Sequence, residues 1–571
     1  MTERHARPVT FGAVARRGGR WLPLIGMTGL AGTLSTLALP LVLGRAVDAI
    51  VGGAAGDSAR WLVLALVLIA VGIVADLVEV FVETACVAGT TAWLRGRLIR
   101  HTLAIGPRGA RRFDTGDLVS RVSGNAVDAA QAGPGAVAVA TAALPAVGSL
   151  VLLAYIDLWV AAAFLAGVAL VALVLRAFTR RTAQVVTAYQ QAQGTIAARL
   201  AESLAGARTI AAAGTVARER RRVLEPLSDL REHGLRTWRV LARSGAQAAI
   251  VGPLVLVAVL AVGGLGLVDG RITAGELFAA SRYAVLGAGL GSLTGVFGRL
   301  ARGRAGVRRV AEVLAVEPVR YGARALPAGP GRLELRAVTV LEQGRALLDR
   351  VDLTLPAGVA VAVVGRSGAG KSVLAEVAAR LRDPDSGRVL LDGVPLPELR
   401  HHAVRAAVGC AFERPVLVGG TVADAIGMGL AHDRVRAAAR ATHAHEFVSR
   451  LPLGYDTPLA EAPMSGGELQ RLGLARAWHA GRVLVLDDAT SSLDMVTEMR
   501  ISRTLLDGAG TGGAGAGNGG PARRRTRLIV THRAATAAAA DLVVWLDGGR
   551  VRAVGTHASL WREPGYREVF G

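Results

Sequence analysis

The 571-residue chain contains one lysine, Lys371; every other one of its 66 basic residues is arginine. Cysteine is nearly absent as well. Cys86 and Cys410 lie far apart and no His/Cys cluster accompanies them, which excludes a disulfide framework and a zinc site. Charge is scarce, at 19% of residues against 52% apolar. With a mean hydropathy of +0.41, the chain is too apolar for an ordinary soluble protein. Acidic residues number 44, leaving a net charge of +22. That excess would favour nucleic acid if it formed one face. Instead much of it lies in the N-terminal arm and between apolar runs, which fits membrane topology and no nucleic-acid partner.

The first half carries six apolar segments: Trp21 to Gly44, Trp61 toward Gly89, Gly135 to Ile156, Leu158 to Leu175, Gly245 to Val268 and Ile272 to Gly298. A helix of roughly 20 apolar residues crosses a bilayer, and each segment reaches that length. Arg4, Arg7, Arg16, Arg17 and Arg20 precede an apolar run too long for a signal peptide, which predicts an uncleaved first span. The links after the second and fourth segments are long and Arg-rich, and the others are tiny. The positive-inside rule then places both termini and the long links in the cytoplasm. The expected divisions are an arm over 1–20, a six-helix transmembrane domain over 21–300 and a Pro-containing linker over 301–331. A nucleotide-binding domain follows over 332–571, interrupted by a Gly-rich flexible insertion at 508–525.

Alternating apolar runs and helical patterns make the second half an α/β domain. Val359 to Val364 reads as a strand, and it leads into Gly365-Arg366-Ser367-Gly368-Ala369-Gly370-Lys371-Ser372. That is the phosphate-cradling P-loop. Its backbone N–H groups hold phosphates at a helix N-terminus. An ammonium on a thin stem fits such a loop, whereas a guanidinium fork does not, so the single lysine stands where it is least replaceable. Lys371 neutralises the terminal phosphates and Ser372 ligates Mg²⁺. Val483 to Asp487 is a second buried strand. Asp487 has the place of the carboxylate that holds Mg²⁺, and Asp488 can orient or deprotonate the attacking water. ATP and Mg²⁺ are the cofactors expected.

Met464-Ser465-Gly466-Gly467-Glu468-Leu-Gln-Arg closely resembles the LSGGQ signature of ATP-binding-cassette (ABC) proteins, with its following QR pair. Ser492-Leu493-Asp494 resembles the family's D-loop, and Thr531-His532-Arg533 its switch histidine. Phe113 to Arg121 and Glu202 to Ile210 resemble the two intracellular coupling segments of ABC exporters. The resemblance implies an all-α six-helix transmembrane domain followed by an α/β P-loop ATPase domain. It implies that Ser465, Gly466 and Gly467 face ATP on a second half-transporter, and that His532 senses the γ-phosphate. It aligns Glu413 with the Q-loop glutamine, a catalytic and metal-associated position.

The chain departs from that pattern at Asp488, where the family has Glu, and at Glu413 and Glu468, where it has Gln. Val338 to Glu342 lacks the aromatic residue that stacks on adenine. A carboxylate one methylene shorter sits on the order of 1 Å back from its water, a misplacement that can cost roughly 10²-fold in rate. These changes predict a site that binds ATP and hydrolyses it slowly, in a heterodimer rather than a homodimer. The expected activity is export of an amphiphile, lipid, peptide or siderophore across the bacterial inner membrane. The alternatives are a siderophore-type importer of the same fold, or a regulatory subunit. Asp76, Glu79 and Glu83 fall at helical spacing in the second span, where acidic groups contact cargo or pair with a cation such as Arg282.

Overall fold

The computed structural model describes residues 9–53, 55–288, 291–507 and 524–570. The backbone divides into two units. One comprises Met1–Thr102 and Phe113–Val316, the other Leu103–Arg112 and Glu317–Gly571.

The first unit is helical throughout its described residues. Apolar sequence with no nearby water must satisfy its backbone internally, and a helix does so within one segment. Among the described residues, three helical stretches are long and apolar enough to cross a membrane: Trp21–Val51, Gly56–Ala104 and Thr115–Ile156. Shorter apolar stretches occupy Leu158–Leu170 and Gly252–Val268, within the long helices Leu158–Ala205 and Leu227–Val268. The sixth expected segment spans the helices Ala274–Ala288 and Gly291–Leu314, and it includes residues outside the described ones.

Small residues let helices approach closely here, as membrane packing requires. A Cβ on Gly44 would come within 2.5 Å of the Gly275 carbonyl oxygen. Beside this crossing, Asp48 accepts hydrogen bonds from the Gly275 N–H and the Thr273 hydroxyl, each at 2.7 Å. The buried Tyr283 hydroxyl donates to the Leu37 carbonyl at 2.7 Å. Asp157, the one-residue link between two apolar segments, caps the helix after it. One carboxylate oxygen accepts from the N–H groups of Trp159 and Val160, and the other takes Arg271 at 2.6 Å.

One sequence expectation needs correcting. The linker foreseen from 301 onward is helical as far as Leu314, because Val307, Val310 and Val313 recur at helical spacing and are buried. Phe113 to Arg121 belongs to the membrane unit. Arg121 is buried there, bonded to Asp117, Glu312 and the Arg309 carbonyl. The segment just upstream, Leu103–Arg112, belongs to the second unit instead, where Arg108 pairs with Asp385 at 3.1 Å and Arg111 with Glu376 at 2.9 Å.

The second unit is built on β1 (Leu333–Glu342), β2 (Arg345–Leu355), β3 (Ala360–Val364), β4 (Ser386–Leu391), β5 (Val394–Pro395), β6 (Val408–Phe412), β7 (Val483–Asp487), β8 (Thr526–Val530), β9 (Leu542–Asp547) and β10 (Arg550–Gly555). One sheet has the order β2-β1-β4-β5 and is antiparallel. The other runs β10-β9-β3-β8-β7-β6, parallel except for the β9–β10 hairpin. Residues of β3 are buried on both faces, which is why the strand reads as an uninterrupted apolar run. The insertion expected at 508–525 lies outside the described residues up to position 523.

Candidate ATP site

Strands β3, β8 and β7 lie side by side and parallel, so their C-terminal ends deliver three motifs to one edge of the sheet. Ligands gather at that edge in open α/β sheets. After β3 the chain turns through Gly368 at φ +79° and Gly370 at φ +99°, in the left-handed region that favours glycine. A Cβ on Gly370 would stand 2.6 Å from the Leu347 carbonyl oxygen, so conformation and space both demand glycine there. The helix Lys371–Ala378 then begins with its free N–H groups facing the loop.

Lys371 Nζ donates to the carbonyls of Gly365 at 2.7 Å and Arg366 at 3.1 Å, folding back across the loop it serves. Burial lowers its pKa, opposed by the charges of Asp488 and Asp487. Ser372 Oγ donates to Asp487 Oδ1 at 3.0 Å. Burial raises the Asp487 pKa, while the Ser372 hydrogen bond pulls it down. A hydroxyl and a carboxylate side by side, short of compensating charge, suit Mg²⁺, which takes oxygen ligands and shares them with substrate phosphates. Among the described residues no group of three or more His, Cys, Asp or Glu side chains could hold a metal alone.

Asp488 follows at φ +48°, a left-handed conformation that Asp tolerates better than most residues. Its backbone N–H is tied to the Val530 carbonyl at 3.2 Å. Its Oδ1 is 3.2 Å from His532 Nδ1. Burial pushes the Asp488 pKa up to about 6, against the pull of His532. The structure thus brings together Gly365 to Ser372, Asp487, Asp488 and His532. Glu413 follows β6 at the same sheet edge, with a half-exposed side chain. Its charge adds to the upward pressure on both aspartates. No described hydrogen bond joins it to Ser372 or Asp487.

Ser465, Gly466 and Gly467 open a different helix. Ser465 caps the helix Gly466–Ala477 in a capping box with Glu468. Glu468 Oε2 accepts from both the N–H and the hydroxyl of Ser465, each at 2.8 Å. No described hydrogen bond or ion pair links Ser465 to Gly467 with Lys371, Asp487, Asp488 or His532. Sequence reasoning missed two residues here. Gln470, 2% exposed, bonds to Glu413, Ser491 and Ser492, while Arg533 bonds to the Ser491 carbonyl and pairs with Glu498. The only hint of the first was the QR pair, and nothing in the sequence marked the second.

In the membrane unit the structure corrects the expected partner of the acidic helix face. Glu83 pairs with Arg299 at 3.6 Å, not with Arg282. Asp76 and Glu79 face the glycines of the first long helix: their carboxylate oxygens lie 3.2 Å and 3.4 Å from where Cβ atoms of Gly32 and Gly29 would be.

Comparison with known proteins identifies the family. The ABC transporter transmembrane region matches residues 22–286, and the ABC transporter family matches residues 348–491. The ABC transporter ATP-binding protein RamA of Streptomyces coelicolor is 46% identical, with the match covering 100% of this chain and 87% of that protein. A fatty acid ABC transporter ATP-binding/permease protein of Mycobacterium tuberculosis is 32% identical over 68% of this chain and 61% of its own length. The fold is that of a bacterial Atm1-family ABC exporter solved with ATP bound, at a TM-score of 0.76 and 24% identity, covering 96% of this chain and 97% of that one. The chain therefore belongs to the ABC transporters, with a transmembrane region fused to its own ATPase domain.

Proposed function

We propose that this chain is one half of a dimeric ABC exporter of the bacterial inner membrane, with its ATPase domain and both termini in the cytoplasm. Lys371 and the backbone N–H groups of Gly368 to Lys371 hold the ATP phosphates. Ser372 and Asp487 hold Mg²⁺, which supplies charge neutralisation at the phosphates when bound. Asp488 takes the proton of the attacking water, and His532 orients the γ-phosphate. Ser465, Gly466 and Gly467 serve ATP on the partner. The observation that carries this reading is that the phosphate, metal and water groups converge in one place, while the Ser465 hydroxyl is bonded to Glu468 and no described hydrogen bond ties it to them.

A heterodimer is the favoured assembly. Asp488 is already bonded to His532 and is too short to reach as far as a glutamate. Val338 and Val340 of β1 are buried in the core, so neither replaces the missing aromatic platform. This chain's own site then holds ATP while the partner's site turns over. The cargo is an amphiphile, such as a lipid, a lipidated peptide or a siderophore. Two open grooves on the surface of the membrane unit offer room for such a molecule. One, of about 460 Å³, is lined by Met27, Val71, Val74 and Val78. The other, of about 480 Å³, is lined by Glu83, Thr84, Thr91 and Arg95.

The test is vesicle transport by the reconstituted pair. Lys371→Ala abolishes nucleotide binding at this chain's site and stops flux. Asp488→Glu raises this chain's own hydrolysis by roughly 10- to 10²-fold, by restoring the reach of the carboxylate. Full ATPase activity from the wild-type chain alone would refute the heterodimer.

A further inference from the structure

The whole side-chain amide of Gln470 is hydrogen-bonded beside the site, and no part of the mechanism above uses it. It sits in the first half of the signature helix and is 2% exposed. Its Nε2 donates to the Glu413 carbonyl at 2.7 Å and to the Ser491 hydroxyl at 2.9 Å. Its Oε1 accepts from the Ser492 N–H at 2.9 Å. Both donors and the acceptor of one amide are therefore spent on two loops that come from other parts of the sheet edge. Gly467, on the same helix, packs so tightly on this joint that a Cβ there would lie 3.2 Å from the Ser492 carbonyl oxygen.

The far side of the same loop is held as well. Arg533 donates to the Ser491 carbonyl at 3.1 Å and pairs with Glu498. Glu498 in turn accepts from Thr490 at 3.3 Å. Arg533 follows His532, which is bonded to Asp488. A continuous series of contacts thus runs from the backbone of Glu413 through Gln470, Ser491 and Arg533 to the water-activating corner.

We propose that Gln470 is a positioning residue that locks the signature helix to Glu413 and to Ser491–Ser492. Through Arg533 it makes the geometry of Asp488 and His532 depend on where the signature helix lies. An amide is the side chain that suits the task. A carboxylate could accept from Ser492 but could not donate to the Glu413 carbonyl, and a methionine could do neither. The consequence is communication between sites: engagement of Ser465 to Gly467 by the partner's ATP shifts the helix, and the shift reaches this chain's own corner. This inference rests on the reading that Ser465 to Gly467 serve a partner's ATP.

The experiment uses the full-length reconstituted transporter with Gln470→Glu, Gln470→Met and Ser491→Ala. Ser491→Ala removes one of the three contacts and leaves the backbone free to fold, so it remains informative if the Gln470 variants do not assemble. Three quantities are read: ATPase kcat and KM, cargo moved per ATP, and ATP-dependent cross-linking of the signature helix to the partner. With the partner's ATP site inactivated, so that only this chain's slow hydrolysis is read, the expected result is a kcat lowered roughly 10-fold or more by Gln470→Glu and several-fold by Ser491→Ala. KM for ATP stays within about twofold, because no phosphate-binding group is touched. Cargo moved per ATP falls in both, which a merely structural defect would not produce in the protein that remains folded. Gln470→Glu combined with Arg533→Ala should fall short of the product of the two single effects, since both act through Ser491. Unchanged kcat and unchanged coupling in assembled Ser491→Ala and Gln470→Glu would overturn the proposal. Absence of ATP-dependent cross-linking in the wild type would instead sink the reading on which it rests.

Discussion

Replacing Asp488 by Asn tests the electrostatics of the site without altering its shape. Asp488 is part-buried, and burial lifts its pKa from the ordinary 3.8 to about 6. Because the folded value is the higher one, the folded chain prefers the neutral acid. That preference is fully present below the unfolded pKa and is lost as pH rises toward 6. Above this window the ionised carboxylate is a penalty on folding, and Asn removes it. A difference of that size corresponds to about 3 kcal/mol, and solvent screening at a part-exposed side chain cuts it to about 1–2 kcal/mol. In a domain of this size that is about 3–6 °C in Tm. Thermal unfolding of the nucleotide-free chain in detergent, followed at two pH values, is the assay. Asp488→Asn should raise the midpoint at pH 7.5, and about one third of that gain should remain at pH 4.5. An equal shift at both values, or none at pH 7.5, would refute the assignment of burial as the cause.

Two further outcomes follow from particular contacts. Glu468→Gln removes a negative charge from beside the Ser465 hydroxyl, which in the proposed dimer meets the partner's γ-phosphate. At a separation of about 5 Å in a wet site, that repulsion is about 1 kcal/mol. KM for ATP in the assembled pair should fall roughly 4-fold, with the gain shrinking as salt rises. Gly44→Val drives a side chain into the Gly275 carbonyl and prises Asp48 from its donors. It should destabilise the membrane unit by about 1–3 kcal/mol, measured as faster thermal inactivation, whereas Gly72→Ala, with its nearest neighbour 3.8 Å away, should be silent.

The sequence by itself determined the division into an apolar helical half and an α/β half, because apolar run length and alternation are properties of the chain alone. It also determined the phosphate loop, since Gly368, Gly370 and Lys371 are required by local backbone geometry and local charge. Asp487 and Asp488 were legible from their position after an apolar strand, and His532 only from the resemblance of Thr531-His532-Arg533 to the family's switch histidine. What the sequence could not decide was who touches whom across the fold. The Asp488–His532 contact exists because β7 and β8 are parallel neighbours, a pairing that depends on the whole sheet. Arg299 rather than Arg282 meets Glu83 because only the packing of distant helices selects among the arginines. The clasp of Gln470 on Glu413, Ser491 and Ser492 joins three segments whose separation along the chain carries no signal. Motifs are local and can be read one at a time. The contacts that couple them are long-range, and only the tertiary structure, by placing those chain ends at one sheet edge, decides them.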